Sequence, residues 1–481
     1  MHSINIFYPL KKEYIIFLIF FLGCFIKIIP ELVAYPFPIG YDVVNYYIPS
    51  ILYFEELNFE KFHIYVTLLY ILYTTFHLSA QDTVIILSSI CYGLLSVMLY
   101  LWSQRFYLSK IQGLFMTIFV IFQISMLRTG WDLHKDIFAI VIMLLVFYII
   151  TYKNRDSLIN LFLILSLTVL TLFVDIMISF LTFVTLIIYC TIHKKWIYLS
   201  SIIAITSITL TIILISNPHN TNPIISNINK LINENFTIDI RYSQINMVLL
   251  FIKINLLNLP TFIIGLRYLK SSIFYISTII VLMGSMSWIV LPNTNLLLPD
   301  RWIILSGLFL SIFSFFGLIS LIYKSQKLRN HIMFSVILSF LIIIGLAYMV
   351  MPNNQPFPIY AVFREHTDFF IPASMQTNVV DIDHNQDLLT AIEWINKNTQ
   401  SNATIYGENH LKGWMKVTLK GNRTFDTYNN NMVNKEVIYL LDHKIKNQIN
   451  QDVDILFTKG NFNIIKNLYS MNSVNNLTKM K

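Results

Sequence analysis

The chain has 481 residues, of which 56% are hydrophobic and only 12% are charged. A soluble domain carries about 25% charged residues, so water cannot be the solvent for most of this chain. The formal net charge is +8, but the lysines and arginines stand in short clusters between apolar stretches. That pattern encodes orientation in a bilayer rather than binding to nucleic acid, so a nucleic-acid partner is excluded and a polytopic α-helical membrane protein is expected.

Apolar runs of helical length divide most of the chain into candidate membrane spans. A helix needs about 17–25 apolar residues to cross the hydrocarbon core. The first run, 14–34, is too long for the core of a signal peptide and lacks a small-residue cleavage site, so we predict that it is an anchor. Together with the runs that follow, it predicts about eleven transmembrane helices. The later runs are 84–102, 111–127, 137–152, 158–174, 177–192, 196–215, 246–266, 273–291, 303–323 and 333–351.

One shorter apolar run, 64–78, lies in the first external loop at 35–83 and decides the topology. Counted as a span, it would invert every later helix. If it lies parallel to the membrane surface or re-enters the membrane, the basic clusters fall on one side, which must then be the cytosol. We therefore predict a plasma-membrane protein with a cytosolic N-terminus. The cytosolic clusters include Lys11 and Lys12, Lys153 and Arg155, and Lys194 and Lys195.

The composition changes after Pro352, where polar residues take over. Short apolar runs at 403–406 and 453–457 alternate with helical patterns at 387–396 and 435–445. Such alternation is typical of a small α/β domain. We predict a transmembrane domain at 1–352 and an extracytosolic α/β domain at 353–481.

A carboxylate stands immediately outside the first predicted span. In the segment Gly40-Tyr41-Asp42, preceding prolines stiffen the chain, and Tyr41 and Tyr46 flank the aspartate. A carboxylate held there can accept a proton from a sugar hydroxyl or bind a divalent cation. Asp42 is therefore a candidate catalytic residue, with Tyr41 and Tyr46 as candidate substrate-binding residues. The alternative is that Asp42 only caps a helix that begins at Val43.

A second polar group lies in the short external loop predicted after the third span. Asp132 and Asp136 could share a cation with Asp42, and Arg128 and Lys135 could neutralise a phosphate. Asp132 is thereby a second candidate catalytic residue. Mg²⁺ or Mn²⁺, held by the three aspartates, is an optional cofactor. The alternative is that Asp132 or Asp136 caps the next helix beside a surface ion pair.

A third polar group, Asp300-Arg301-Trp302, opens the tenth predicted span. Arginine offers a planar fork of donors suited to phosphate oxygens, and Arg301 would lie at the depth of a lipid phosphate. Arg301 is therefore a candidate phosphate-binding residue. The alternatives are an interfacial Arg-Trp anchor and a local ion pair with Asp300. Separately, Lys253 lies inside a predicted span, where a lysine should face a cavity or an acidic partner.

Together these positions resemble a known superfamily, the membrane-embedded glycosyltransferases of the C type, which take sugars from polyprenyl-phosphate carriers. Three stretches are similar to the catalytic subunit of archaeal and eukaryotic oligosaccharyltransferase. Gly40-Tyr-Asp42 looks like its first catalytic motif, and Arg128-Thr-Gly130-Trp-Asp132 looks like the pattern of its second external loop. The segment 391–407 is similar to the helix, turn and strand that open its soluble domain. Where that subunit has Trp-Trp-Asp-Tyr-Gly, this chain has a different sequence at 406–414, so the resemblance does not extend to sequon-directed transfer.

The resemblance implies an enzyme that moves a sugar from a polyprenyl-phosphate donor to an extracytosolic glycan, lipid or protein acceptor. Asp42 would act as the base, and Arg301 would hold the phosphate that leaves. Two other classes stay open: a transporter or flippase of lipid-linked sugars, and a non-catalytic scaffold for envelope assembly. A transporter is expected to have internal repeats and broken helices at matching positions, and the sequence indicates neither.

Overall fold

A computed structural model of the chain describes residues 12–56, 64–152, 158–216, 239–295, 297–325, 328–427, 437–442 and 454–467. The chain divides into two compact units. Unit 1 contains Met1–Pro30, Asn58–Leu69 and Ile85–Met375. Unit 2 contains Glu31–Leu57, Tyr70–Val84 and Gln376–Lys481. The loop after the first helix thus belongs to the same unit as the C-terminal residues.

Apolar helices make up most of the chain before residue 351, and each predicted span coincides with one helix or with a pair of consecutive helices. The helices are α1 (Lys12–Ala34), α2 (Ile48–Leu52), α3 (Ile64–Phe76), α4 (Ala80–Arg105), α5 (Lys110–Ile121), α6 (Ile124–Asp132), α7 (His134–Ile150), α8 (Leu158–Val174), α9 (Ile176–Ile192), α10 (Trp196–Ser216), α11 (Gln244–Asn255), α12 (Leu259–Gly265), α13 (Ser272–Ser285), α14 (Ser287–Val290), α15 (Pro299–Ser325) and α16 (Leu328–Val350).

The number of helices that can cross a membrane is smaller than the number of predicted spans. Among the described residues, five helical segments are long and apolar enough, or up to seven if each of two bent pairs counts as one span. The predicted eleven are therefore not confirmed. Helices α7, α8 and α9 have 17 residues each. A straight helix of that length measures about 26 Å, slightly less than the hydrocarbon core of about 30 Å.

The bent pairs correct two of the predicted spans, 111–127 and 246–266. Helices α5 and α6 meet at 62°, and α11 and α12 meet at 67°. The extended backbone of Gln123 separates α5 from α6. A proline in the first turn of α12 prevents α11 and α12 from forming one continuous helix. The sequence indicated neither break, because a break of a few residues leaves the average hydropathy of a span unchanged.

Helices α12 and α15 cross with their backbones almost in contact. A β-carbon added to Gly265 would lie 1.8 Å from the backbone oxygen of Phe313. One added to Gly317 would lie 2.0 Å from the backbone oxygen of Thr261. Backbone atoms cannot turn aside as a flexible side chain can, so the crossing requires glycine at both positions. Small residues allow helices to approach in this way in an apolar solvent.

The substitution Gly317→Ala is expected to destabilise unit 1 by about 1–3 kcal/mol, because the added methyl group must displace the backbone at Thr261. Thermal unfolding of the purified protein in detergent measures the effect as a lower Tm. Ser320→Ala is the matched control, since among the described residues the hydroxyl of Ser320 donates a hydrogen bond within its own helix, to the carbonyl of Gly317. Equal Tm values for the two variants would contradict the close crossing.

The segment predicted to lie parallel to the membrane, 64–78, forms α3, which has 13 residues. A helix of that length measures about 20 Å and cannot cross the hydrocarbon core when it stands upright. Its length agrees with the argument that it does not count as a span. Its orientation along the membrane surface stays a prediction.

Residues that follow α16 remain part of unit 1 as far as Met375. The Tyr360 hydroxyl donates a hydrogen bond to the Ile344 carbonyl at 3.1 Å, and the Met375 amide donates to the Tyr348 carbonyl at 2.9 Å. These bonds attach the polar segment to α16. These residues therefore belong to the same compact unit as α16, and the domain boundary predicted at Pro352 stays a prediction. The segment contains two short helices, α17 (Pro358–Ala361) and α18 (Arg364–Thr367).

The described residues in the C-terminal part of unit 2 form helices and one β-sheet. The elements are α19 (Asn385–Asn398), β1 (Thr404–Gly407), α20 (Lys412–Thr418), β2 (Thr424–Thr427), β3 (Val437–Asp442), β4 (Asp454–Lys459) and β5 (Phe462–Asn467). Among the described residues, the five strands form one sheet in the order β2-β1-β3-β5-β4, in which β1 is parallel to β2 and β3, and β5 is antiparallel to β3 and β4. Buried Leu388, Ile392 and Ile395 pack with Ile405 and Leu440 in one apolar cluster.

One element of this domain differs from the prediction. The pattern at 435–445 indicated a helix, but the described residues of that stretch form β3. This strand lies between β1 and β5 in the sheet. In the sequence, an interior strand is a short continuous run of apolar residues. The periodicity of such a run does not distinguish it from a buried helix.

Candidate functional site

Asp42 stands at the start of a π-helical turn, Val43–Tyr47, which continues into α2. Its side chain makes no capping hydrogen bond to that turn. Asp42 therefore lacks the hydrogen bond that defines a helix cap, which was the alternative role for this residue. Short π-helical turns are rare and occur frequently at functional sites. The carboxylate is half-buried.

Two tyrosines flank this carboxylate within unit 2. Tyr41 is 38% exposed, and Tyr46 is half-buried. Burial raises the pKa of both phenols, and the nearby charge of Asp42 raises the pKa further. Both side chains therefore stay protonated at neutral pH. A protonated phenol can donate a hydrogen bond to an oxygen of a bound substrate.

The loop that leads to Asp42 is fixed to the segment that begins at Gln376. Gly40 adopts a φ of +94°, a conformation that glycine reaches without strain. Its amide donates a hydrogen bond to the Thr377 carbonyl at 3.0 Å. The side-chain amide of Asn378 donates to the Pro38 carbonyl at 2.8 Å. These two bonds hold the backbone just before Asp42.

In unit 1, the segment predicted as a short loop at 128–136 is instead mostly helical and buried. Arg128 forms an ion pair with Asp132 one turn later on α6. Its Nε atom also donates to the Phe370 carbonyl at 2.6 Å, and its guanidinium lies 4.7 Å from the centre of the Trp131 ring. Asp132 is the last residue of α6 rather than a cap of the next helix. That capping alternative is therefore wrong.

Two further ion pairs connect the start of α7 to other helices. Asp136 lies in the first turn of α7, and its Oδ2 atom is 3.9 Å from a terminal nitrogen of Arg301 at the start of α15. The Lys135 ammonium is 3.7 Å from Oδ2 of Asp175. Asp175 also caps α9, because its side chain accepts a hydrogen bond from the Ile178 amide. Asp136 is likewise not the cap of α7, which is Leu133.

Charged groups from distant parts of the sequence therefore gather in unit 1. The Arg301 side chain is 27% exposed, whereas its partner Asp136 is 5% exposed. Asp300 lies within electrostatic range of both Arg301 and Arg128. Within the described part of the chain, one of its carboxylate oxygens is buried without a hydrogen-bond partner. Among the described residues, Arg301 forms an ion pair with Asp136, whereas the alternative drawn from the sequence had paired it with its neighbour Asp300.

Sequence reasoning missed the segment after α16 as part of this unit. The Lys253 ammonium donates a hydrogen bond to the Thr367 hydroxyl at 2.9 Å, and Asp368 lies within electrostatic range of the lysine. Asp368 also pairs with Arg364 at 2.5 Å. Lys253 was expected to face a cavity or an acidic partner; its hydrogen bond goes to a hydroxyl, with the acidic Asp368 within electrostatic range. The charged run at 364–368, which follows an apolar span, was the feature of the sequence that could have indicated a polar partner for this unit.

Two solved structures share the fold of this chain over nearly its whole length. ArnT from Cupriavidus metallidurans bound to undecaprenyl phosphate matches with a TM-score of 0.58 and 10% identity, over 95% of this chain and 98% of that one. The apo state of ArnT matches with a TM-score of 0.57 and 10% identity, over 94% and 97%. The chain has the fold of a C-type membrane glycosyltransferase. The resemblance inferred from the sequence is thereby confirmed at the level of the fold.

A third solved structure is less similar. The oligosaccharyltransferase of Archaeoglobus fulgidus, in complex with Zn and sulfate, matches with a TM-score of 0.46 and 12% identity, over 89% of this chain and 68% of that one. No protein-family model matches the sequence, and no curated protein matches it. The fold is therefore recognised through the three-dimensional arrangement rather than through overall sequence similarity.

The charged groups of unit 1 do not fit the predicted cation site. The carboxylates of Asp132 and Asp136 pair with Arg128 and Arg301, which places a positive charge beside each candidate ligand. In the part of the chain that the structure describes, no three His, Cys, Asp or Glu side chains gather as metal ligands. Of the three predicted metal ligands, Asp132 and Asp136 therefore form ion pairs with arginines.

Proposed function

We propose that this chain is a membrane glycosyltransferase that moves a sugar from a polyprenyl-phosphate carrier to an extracytosolic glycan, lipid or protein acceptor. The observation that carries the proposal is the half-buried Asp42 carboxylate, which directly precedes a π-helical turn and makes no capping bond to it. Two further findings support it. The fold is that of C-type glycosyltransferases, and the ArnT structure with the same fold is bound to undecaprenyl phosphate, a polyprenyl phosphate.

In the proposed reaction, Asp42 accepts the proton of an acceptor hydroxyl as that oxygen attacks the anomeric carbon of the sugar. A bond forms between the acceptor oxygen and the carbon, and the bond from the carbon to the phosphate oxygen breaks. The electron pair leaves with the lipid phosphate, and attack from the face opposite that phosphate inverts the configuration at the carbon. Tyr41 and Tyr46, which stay protonated, donate hydrogen bonds to the substrate.

Arg301 is the proposed partner of the phosphate that leaves. Its guanidinium offers a planar fork of donors, and charge-assisted hydrogen bonds stabilise the negative charge that develops on the phosphate. The Arg301 side chain lies 3.9 Å from Oδ2 of Asp136 and is 27% exposed, so a phosphate can approach the exposed part of the guanidinium. Arg128 is held by Asp132 and Phe370, so we assign it and Lys135 to the positive charge around the donor rather than to direct phosphate contacts.

A transporter of lipid-linked sugars is the second candidate, and one observation favours it. The two bent helix pairs, α5 with α6 and α11 with α12, are of the kind from which transporters build their central sites. Such a protein would move the donor across the bilayer without breaking the bond between sugar and phosphate. The two functions therefore differ in their product.

The deciding experiment uses the purified full-length chain in liposomes that contain a polyprenyl phosphate with a radiolabelled sugar. Transfer of label to a water-soluble or lipid acceptor, with release of polyprenyl phosphate, is the expected result. Movement of intact donor between leaflets without transfer would overturn the enzyme in favour of the transporter. If neither occurs with a panel of acceptors, the non-catalytic scaffold replaces both.

The proposed orientation has the N-terminus in the cytosol and residues after 375 outside the plasma membrane. It is tested in a variant without the native Cys24, Cys91 and Cys190, into which single cysteines are introduced. Ser401→Cys is expected to react with a membrane-impermeant thiol reagent in intact cells, and Ser325→Cys only after the cells are opened. The reverse pattern would contradict this orientation.

A further inference from the structure

The turn that carries Asp42 packs into the C-terminal part of its own unit through contacts that the proposed reaction does not use. Val44 is buried in the same apolar cluster as Trp414 and Met415 of α20. The next residue, Asn45, accepts a hydrogen bond through Oδ1 from the backbone amide of Gly413 at 2.7 Å. The two residues are 368 positions apart, so this is a tertiary contact and not a local turn.

The bond from Gly413 satisfies a donor that α20 itself cannot satisfy. Backbone amides in the first turn of a helix have no acceptor within the helix. The residue at the cap position of α20 is Leu411, which makes no side-chain capping bond. Asn45 therefore supplies the oxygen that an asparagine cap normally supplies, but from a distant part of the chain.

The approach of the two segments is close enough to require glycine at position 413. An added β-carbon would lie 2.3 Å from the Val44 carbonyl oxygen and 2.5 Å from Oδ1 of Asn45. Real β-carbons essentially never come within 3.0 Å of another heavy atom. Any other residue would push the turn that follows Asp42 away from α20.

A second contact lies farther along the same helical segment. The Tyr53 hydroxyl donates a hydrogen bond to the Lys416 carbonyl at 3.0 Å. The Lys416 ammonium lies 4.6 Å from the centre of the Tyr53 ring, a cation–π distance. The segment after Asp42 therefore contacts α20 at two places, through Asn45 near the start of the segment and through Tyr53 near its end.

We propose that Asn45 and Gly413 are positioning residues, through which α20 fixes the π-helical turn and with it the direction of the Asp42 carboxylate. This inference rests on the proposed role of Asp42 as the base. A catalytic group must be held within about 0.5 Å of its productive position, and residues that contact no substrate provide that restraint. Without the bond from Gly413, the turn loses a restraint only three residues away from Asp42.

The test compares Asn45→Ala with a matched control, Asn396→Ala. Asn396 also bonds the backbone near the end of α20, at the Thr418 carbonyl and the Lys420 amide, both at 2.9 Å. It makes none of the contacts with the Asp42 turn described above. Loss of either asparagine therefore removes side-chain bonds to the same region, but only Asn45→Ala removes a bond to the turn.

Two measurements on the purified full-length protein are expected to separate the variants. In Asn45→Ala, hydrogen exchange of the backbone amides at 43–53 should rise about five-fold, as expected for loss of one capping bond. Its kcat for sugar transfer should fall by roughly 10-fold to 10²-fold, with the KM for the donor unchanged, because a misplaced base slows chemistry rather than binding. Asn45→Asp keeps the acceptor oxygen and should restore the slow exchange.

Unchanged exchange at 43–53 in Asn45→Ala, or an equal rise in Asn396→Ala, would overturn the inference. A rise in exchange with an unchanged kcat would also overturn it, because the turn would then move without consequence for the reaction. If the wild-type protein transfers no sugar at all, the proposed function fails. The exchange data then still decide whether Asn45 and Gly413 restrain the turn.

Discussion

Replacement of Asp42 by asparagine is expected to reduce sugar-transfer turnover by roughly 10²-fold or more, because the amide cannot accept the proton of the acceptor hydroxyl. Asparagine has nearly the same shape and size as aspartate. Asp42 makes no capping bond, so the π-helical turn loses no hydrogen bond in this variant. Expression and Tm should therefore stay close to the wild-type values. Turnover of the two proteins is measured with a labelled polyprenyl-phosphate donor at saturating concentration.

The variant Asp42→Ala is the control for a structural role of this residue. Loss of a helix cap costs about 1 kcal/mol, so a capping aspartate would give a lower Tm on replacement by alanine. We expect Asp42→Ala to be as stable as the wild type and as inactive as Asp42→Asn. An Asn variant with full activity would remove the base from the mechanism and bring the transporter and scaffold functions forward.

The positions of the helices could be predicted from the sequence because transfer from water to hydrocarbon depends on composition over a whole turn or more. The apolar runs at 158–174 and 303–323 correspond to α8 and to the central part of α15. Average hydropathy does not register local geometry, however. The breaks near Gln123 and Asn258 and the strand nature of β3 were therefore missed.

The boundary between the two units illustrates a different limit. Polarity changes at Pro352, but the chain remains attached to unit 1 until Met375 through hydrogen bonds to α16. Those bonds use backbone carbonyls of apolar residues, which carry no distinctive signal in the sequence. Composition can therefore predict that a polar segment follows α16, but not the unit to which its first residues belong.

The candidate residues were easier to predict than their partners. Asp42, Arg301 and Asp136 stand out because charged side chains are rare beside apolar spans. The pairing of Asp136 with Arg301 joins residues separated by several helices, and the bond between Asn45 and Gly413 crosses 368 positions. Neither pairing has a local pattern, so each became visible only once the chain was folded.

Replacement of Arg301 by alanine is expected to lower kcat/KM for the lipid-linked donor by roughly 10-fold to 10²-fold, the effect of losing a charge-assisted hydrogen bond. Arg301→Lys should recover only part of that loss, because lysine offers a point charge in place of a planar fork. Arg241→Ala is the matched control. Arg241 also pairs with an aspartate in unit 1, Asp239, but 52% of its side chain is exposed. Equal losses in Arg301→Ala and Arg241→Ala would make Arg301 an interfacial anchor.

The stability of the Arg301→Ala variant needs separate treatment, because its partner is only 5% exposed. A buried carboxylate that loses its partner costs about 1–3 kcal/mol, so Arg301→Ala alone should also show a lower Tm. The double variant Arg301→Ala, Asp136→Asn removes that buried charge and should regain stability without regaining donor use. Asp136→Asn alone leaves the guanidinium without its competing carboxylate, so its KM for the donor should be equal to or lower than that of the wild type. If the double variant recovers both stability and kcat/KM, Arg301 serves only to neutralise Asp136, and the phosphate that leaves must be stabilised by another group.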